Sequence, residues 1–134
     1  MIGRQKKTVI PGVKTARQGL GSMGERLAAE HLQGSGYVVV GRNFRCCYGE
    51  VDLVVEDGED LVFVEVKTRR GLGFGLPEEA VTWRKQQKIM QVAAFYLDLH
   101  GCSERSWRID VVAIQLSGAG KLEEIRHYKH AVSA

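Results

Sequence analysis

No stretch of this chain approaches the roughly 18 consecutive apolar residues that a membrane-crossing helix needs. The N-terminal segment MIGRQKKTVIPGVKTARQ also lacks the apolar core of a secretory signal. These absences point to a cytoplasmic protein with no membrane partner. Cysteine is scarce. Cys46, Cys47 and Cys102 are too few and too unevenly placed for a disulfide framework. No further Cys or His pair stands at zinc-site spacing, so a structural zinc is not expected. Cys46 and Cys47 read as small apolar fillers on alternate faces of a strand.

What is present is ordinary for a globular domain: 134 residues, 44% hydrophobic and 26% charged. The net charge of +3 is unevenly spread. Residues 1–18 carry Arg4, Lys6, Lys7, Lys14 and Arg17 and no acid, which leaves the rest of the chain slightly acidic. The expected organisation is a basic, flexible tail over 1–18 and a single domain over 19–134. Such a tail adds nonspecific attraction to phosphates or is an inert leader. The body carries no strong basic excess, so nucleic-acid contact there must come from local clusters.

Hydrophobic spacing predicts a helix over 20–34, with Leu20, Met23, Leu27, Ala28 and Leu32 on one side and Gly34 and Gly36 ending it. Strands follow at Tyr37–Phe44, Glu50–Glu56 and Leu61–Thr68. The last two are joined through Asp57-Gly58-Glu59-Asp60, a hairpin signal. A Gly-rich loop from Gly71 to Pro77 leads to a helix from about Glu78 to Leu99. Two more strands are expected at Trp107–Gln115 and Leu122–Tyr128. There is no internal repeat.

The chemistry concentrates in the hairpin GEVDLVVEDGEDLVFVEVKTR. Side chains alternate along a strand, so Glu65 and Lys67 share a face. A turn at Gly58-Glu59 sets Asp52 opposite Glu65; a turn at Asp57-Gly58 shifts the pairing by two and sets Glu50 there instead. Either keeps Asp52, Glu65 and Lys67 on one face, with opposed Cβ atoms roughly 5 Å apart. At an effective dielectric near 20, two carboxylates at that distance repel by about 3 kcal/mol. A hard divalent cation offsets this, and Mg2+ (with Mn2+ as substitute) is the usual choice beside phosphate. The carbonyl of Val66 is a further oxygen donor. Lys67 would steer or activate an attacking water and stabilise charge on phosphorus. The competing explanation is an ion-pair ladder on a solvated sheet face. Valines on one side and Phe63 and Val54 on the other argue that both faces are partly buried, where charges need partners.

Glu25 aligns with Gly21, Ser22, Ala28, Ala29 and Leu32, the small and apolar side of the first helix. It is expected either to complete the metal site or to answer the helix dipole. Lys85, on the stripe Val81, Ile89, Val92 and Tyr96, either joins Arg84 and Lys88 in offering charge to a phosphate or snorkels from a core helix. Gly19-Leu20-Gly21-Ser22-Met23-Gly24 matches G-x-G-x-x-G, but no strand precedes it and no acid follows at the dinucleotide-site spacing.

These residues resemble the PD-(D/E)XK nuclease superfamily, and within it the bacterial YraN-like branch. The likeness runs from about Gly19 to Ile114. It rests on Gly24-Glu25, Gly49-Glu50-Val51-Asp52-Leu53-Val54, Phe63-Val64-Glu65-Val66-Lys67-Thr68-Arg69, Phe74-Gly75, Ala80-Val81, Lys85-Gln86 and Arg108-Ile109-Asp110-Val111-Val112. Val51 stands where the superfamily usually has proline. The resemblance implies an α/β restriction-endonuclease-like core with a mixed sheet flanked by helices. It implies Mg2+-dependent hydrolysis of DNA, with Asp52, Glu65 and Lys67 as motif residues and Glu25 as the helical glutamate. The basic residues Arg69, Arg70, Lys85 and Lys88 would contact nucleic acid. The Asp52–Glu65 spacing is similar to that of archaeal Holliday junction resolvases, which implies a branched DNA substrate and a homodimer; Trp83, Phe95 and Trp107 are apolar candidates either for its interface or for the core. The alternative is a noncatalytic nucleic-acid-binding module, or a partner-binding protein, on the same fold.

Overall fold

The computed structural model describes residues 16–71 and 82–131, with side chains from residue 21 onward. In chain order the elements are α1 (Ala16–Gly34), β1 (Val38–Cys46), β2 (Gly49–Asp57), β3 (Asp60–Arg70), α2 (Trp83–Leu99), β4 (Trp107–Leu116) and β5 (Leu122–Tyr128). The last residues of the expected tail, from Ala16, already belong to α1; residues 1–15 lie outside the described residues, as does most of the Gly71–Pro77 loop. The second helix, expected from about Glu78, begins at Trp83. Thr82 is extended, with φ −71° and ψ 164°, and its hydroxyl accepts the Lys85 N–H as an N-cap. Continuous hydrophobic spacing hid that start, because Thr82 does not interrupt the stripe.

The strands form one five-stranded sheet in the order β1-β2-β3-β4-β5. Every neighbouring pair is antiparallel except β3 and β4, which run parallel and are joined through α2. The fold is therefore α/β with a mixed sheet. The two helices lie on opposite faces. Ala28, Ala29 and Leu32 of α1 pack against Leu53, Val55, Val62, Val64, Val112 and Ile114. On the other face Ile89, Val92, Ala93 and Tyr96 of α2 pack against Val54, Phe63 and Ile109. Both faces of the central strands are buried, as the unbroken apolar runs in β2 and β3 suggested. Of the three aromatic candidates for interface or core, two are partly buried: Trp107 packs against the α2-side core and Phe95 against Phe44 and Tyr48. Trp83 stays 73% exposed.

Two details position the site. The hairpin turns at Gly58-Glu59, with Asp57 paired to Asp60 and Gly58 at φ +62°. Of the two registers open to the sequence, the one setting Asp52 opposite Glu65 is adopted. The β2–β3 ladder then stops at Leu53↔Val64, while β2 continues beside β1 to Gly49 and β3 continues beside β4 to Arg70. The sheet forks there. Beyond the fork Val51, expected on the same side as Leu53 and Val55, joins the α2-side core instead, because β2 no longer follows the plane of β3.

Candidate functional site

Asp52 stands at the fork. Where the next ladder hydrogen bond would be, its Oδ2 accepts the backbone N–H of Val66 at 2.7 Å. The side chain thus bridges the two diverging strands, and groups from both sheet faces reach it. Glu65, from β3, hydrogen-bonds the Asp52 carboxyl, and so does Glu25 from α1 on the opposite side. Lys67 Nζ lies 3.6 Å from Glu65 Oε2. Four of the residues singled out in the sequence, on three elements, therefore converge.

Gly24 explains how α1 comes so close. A Cβ at this position would overlap the Thr68 hydroxyl of β3. Glycine lets the helix lie on the strand, and the next residue, Glu25, is carried to Asp52.

The electrostatics are those of crowded acids. Burial, and then the negative charge of Glu65, push the Asp52 carboxyl up to about 9, so without a cation it holds a proton at neutral pH. Glu25 is also raised, first by burial, with the nearby charges of Glu50 and Glu65 adding to it. Lys67 is lowered, mainly by burial and by the neighbouring Lys85.

Lys85 meets the acid cluster directly. From the first turn of α2 its Nζ reaches Glu65 Oε2 at 2.6 Å, the same oxygen that faces Lys67. Burial opposes its charge, yet the hydrogen bonds to Glu65 and Lys67 outweigh this and leave its pKa raised. The remaining basic candidates lie outside the cluster. Arg69 donates to the Thr68 carbonyl, Arg70 to that of Gly118, and Lys88 is exposed one turn along α2.

Asn43 was not singled out from sequence. It lies on β1 level with Asp52, between the pairs Arg42↔Leu53 and Phe44↔Val51, and its side chain hydrogen-bonds Glu25. Its φ of +51° is left-handed inside a strand, a conformation that asparagine tolerates better than most residues. The only signal available was an asparagine interrupting a valine-rich strand.

A second polar cluster lies on the α1 face of the sheet, toward the β2–β3 turn. Arg108 is buried and donates to Asp110 at 3.0 Å and to the Tyr37 hydroxyl, and it pairs with Asp57 and Asp60. The fully buried Asp110 also accepts from the His130 N–H and meets His127 Nε2 at 2.7 Å. Every group there is partnered within the protein, which marks a structural network that ties β5 to β4.

The donor set suits a hard divalent cation. Asp52, Glu65 and Glu25 present only oxygens, and carboxyls this close need either shared protons or a cation between them. Among the described residues no three acidic, His or Cys side chains already stand in ligating geometry. Glu65 is turned instead toward the two lysines.

Comparison with known proteins gives a consistent family result. The model of "Uncharacterised protein family UPF0102" matches residues 24–114. A "UPF0102 protein" of Beutenbergia cavernae is 49% identical over 113 residues, covering 83% of this chain and 96% of the relative. One from Rhodococcus jostii is 50% identical over 112 residues, covering 84% and 94%. A more divergent one from Caldicellulosiruptor saccharolyticus is 41% identical over 112 residues, covering 84% and 95%. The matched span contains Glu25, Asp52, Glu65, Lys67 and Lys85.

Proposed function

Because the chain belongs to the uncharacterised protein family UPF0102, its activity has to be read from the site, and we propose that it is a Mg2+-dependent endonuclease of the PD-(D/E)XK type acting on DNA. The observation that carries this reading is the Asp52 carboxyl at the strand fork, in contact with Glu65 and Glu25, with Lys67 beside Glu65. An ion-pair ladder on a solvated face has no use for three converging, partly buried acids. Burial and neighbouring negative charge hold the Asp52 and Glu25 carboxyls above their ordinary range, which costs stability unless a ligand repays it.

Phosphodiester hydrolysis joins a water oxygen to phosphorus while the bond from phosphorus to one sugar oxygen breaks. Asp52 and Glu65, with Glu25 close by, would hold the cation, which would supply polarisation of a phosphoryl oxygen and offset the charge developing there. Lys67, with its ammonium destabilised by burial, takes part in two ways. Its N–H groups orient the attacking water and the phosphate, and its lowered pKa suits it to exchanging a proton at the water oxygen. Arg69, Arg70 and Lys88 supply phosphate contacts outside the cluster, where they set position rather than chemistry. A branched substrate and a homodimer belong to the same proposal: paired cuts on a four-way junction need two symmetrically placed sites.

The test is a cleavage assay with Mg2+ or Mn2+ over linear, flapped and four-way DNA. Metal-dependent cleavage lost in Glu65→Ala is the expected result. Binding without cleavage on any substrate, indifferent to divalent ions, would establish the noncatalytic module instead.

A further inference from the structure

Lys85 is the feature of the site that hydrolysis leaves unexplained. Its Nζ makes the closest charged contact in the cluster, 2.6 Å to Glu65 Oε2, against 3.6 Å for Lys67. It stands in the first turn of α2, next to Arg84 and with no acid in that turn. Positive charge at a helix N-terminus opposes the dipole, so helix stability does not account for it. Its side chain is 41% exposed while that of Glu65 is 5% exposed, so one end of the pair is anchored and the other is free to move. Glu65, meanwhile, is one of the carboxylates a cation has to engage.

We propose that Lys85 is a resident counter-ion for Glu65: it occupies the carboxylate until a divalent cation displaces it, and the released ammonium then binds the incoming phosphate. This rests on the nuclease reading and adds how the site is kept charge-balanced and how loading is coupled to DNA binding. The physical basis is exchange between two cations at one carboxylate oxygen. A divalent ion and an ammonium cannot both sit at Glu65 Oε2 without repulsion, and the one on the mobile, half-exposed stem leaves. The lysine stem then keeps the charge within reach of the site, where the polyanion arrives. Lys67 remains as the interior lysine, with 13% of its side chain exposed.

The rival role for Lys85 is static: holding Glu65 in the orientation that a cation needs. The two roles differ in sign. If Lys85 competes with the cation, Lys85→Ala should tighten Mg2+ or Mn2+ binding to the free protein. The gain is on the order of tenfold, between the values for exposed ion pairs and charge-assisted hydrogen bonds. If it only positions Glu65, the same variant should weaken metal binding. The experiment is calorimetric titration of Mg2+ and Mn2+ into wild type, Lys85→Ala and Lys85→Gln, with melting curves in EDTA to show that each variant is folded. In parallel, DNA affinity is read by rapid-mixing anisotropy before cleavage. Lys85→Ala should match wild type in EDTA and bind several-fold more weakly once Mg2+ is present, because only then is the ammonium free. Unchanged or weaker metal affinity in both variants overturns the exchange while leaving the nuclease reading intact. A DNA deficit already present in EDTA also overturns it. Failure of wild type to bind any divalent ion at millimolar concentration would remove both.

Discussion

Asp52 does two things at once, bridging a fork in the sheet through the Val66 N–H and crowding two other carboxyls. A carboxyl whose folded pKa is raised binds a proton more tightly in the native state than in the unfolded chain. Metal-free stability should therefore fall as pH rises from the ordinary aspartate range toward 9. Asp52→Asn keeps the shape without the charge. In EDTA it should raise stability near neutral pH by about 1 kcal/mol, a few degrees in Tm, and flatten that pH dependence while abolishing metal-dependent cleavage. A melting series in EDTA from pH 4 to 9 measures both effects; an Asp52→Asn protein less stable than wild type throughout would contradict the assigned crowding. Lys67→Ala should leave metal binding nearly intact and slow cleavage by about 10²–10⁴, the range for a positioned proton-transfer group. At Asn43 two substitutions separate backbone from side chain. Asn43→Gly preserves the left-handed conformation and should stay folded, yet bind metal more weakly because Glu25 loses its partner. Asn43→Asp should instead tighten metal binding and lower metal-free stability, since it places a fourth acid in the cluster; equal metal affinity in both variants would show that only the backbone matters.

Among the elements, α1 and β3 meet through the absence of a side chain. Gly24→Ala drives a methyl into Thr68 and should push the helix away from the strand, costing about 1–3 kcal/mol and moving Glu25 off Asp52. Thr68→Ala in the same chain removes the obstruction, so the double variant should recover both stability and metal affinity; strict additivity in that cycle would rule out the contact as the cause. The β4–β5 pair depends on Asp110 in a different way. Asp110→Ala leaves Arg108 buried without its fully buried partner and should destabilise by about 3 kcal/mol, with no change in metal affinity. Burial raises the Asp110 pKa, but the hydrogen bonds from His127 and Arg108 outweigh it and leave it lowered. Its contribution is therefore complete above the ordinary aspartate range and lost as pH falls through its depressed value. Acid titration of wild type and variant, followed by circular dichroism, shows whether the difference closes at low pH.

For the molecule as a whole, charge is divided between a slightly acidic body and an N-terminal segment whose residues 1–15 hold Arg4, Lys6, Lys7 and Lys14. Under the proposed function the acidic cluster would repel DNA until it is loaded, and basic side chains elsewhere would have to compensate. Removing residues 1–15 should weaken DNA binding and reduce the slope of log affinity against log salt by up to about 0.9 for each basic residue that touches a phosphate. The same affinity at every salt concentration would make the segment inert. Among the described residues no helix is long and apolar enough to cross a membrane.

Alternation along β2 and β3 was enough to place Glu65 with Lys67 and to give a mixed α/β order, because strand parity is a local property of the backbone. Residue type also marked Glu25, a single charge on the small side of a helix. Local rules could not choose between the two hairpin registers, since both satisfy the same parity; the tertiary structure adopts the turn at Gly58-Glu59. The fork beyond Leu53 was equally invisible. It arises because β2 stays with β1 and β3 stays with β4, a competition between pairings that no single strand records. That fork brings Glu25 and Asn43 to Asp52. Likewise the end of α2 that meets Glu65 depends on where the parallel crossover sets the helix down, so the sequence marked Lys85 as a basic candidate but only the tertiary structure set it against Glu65.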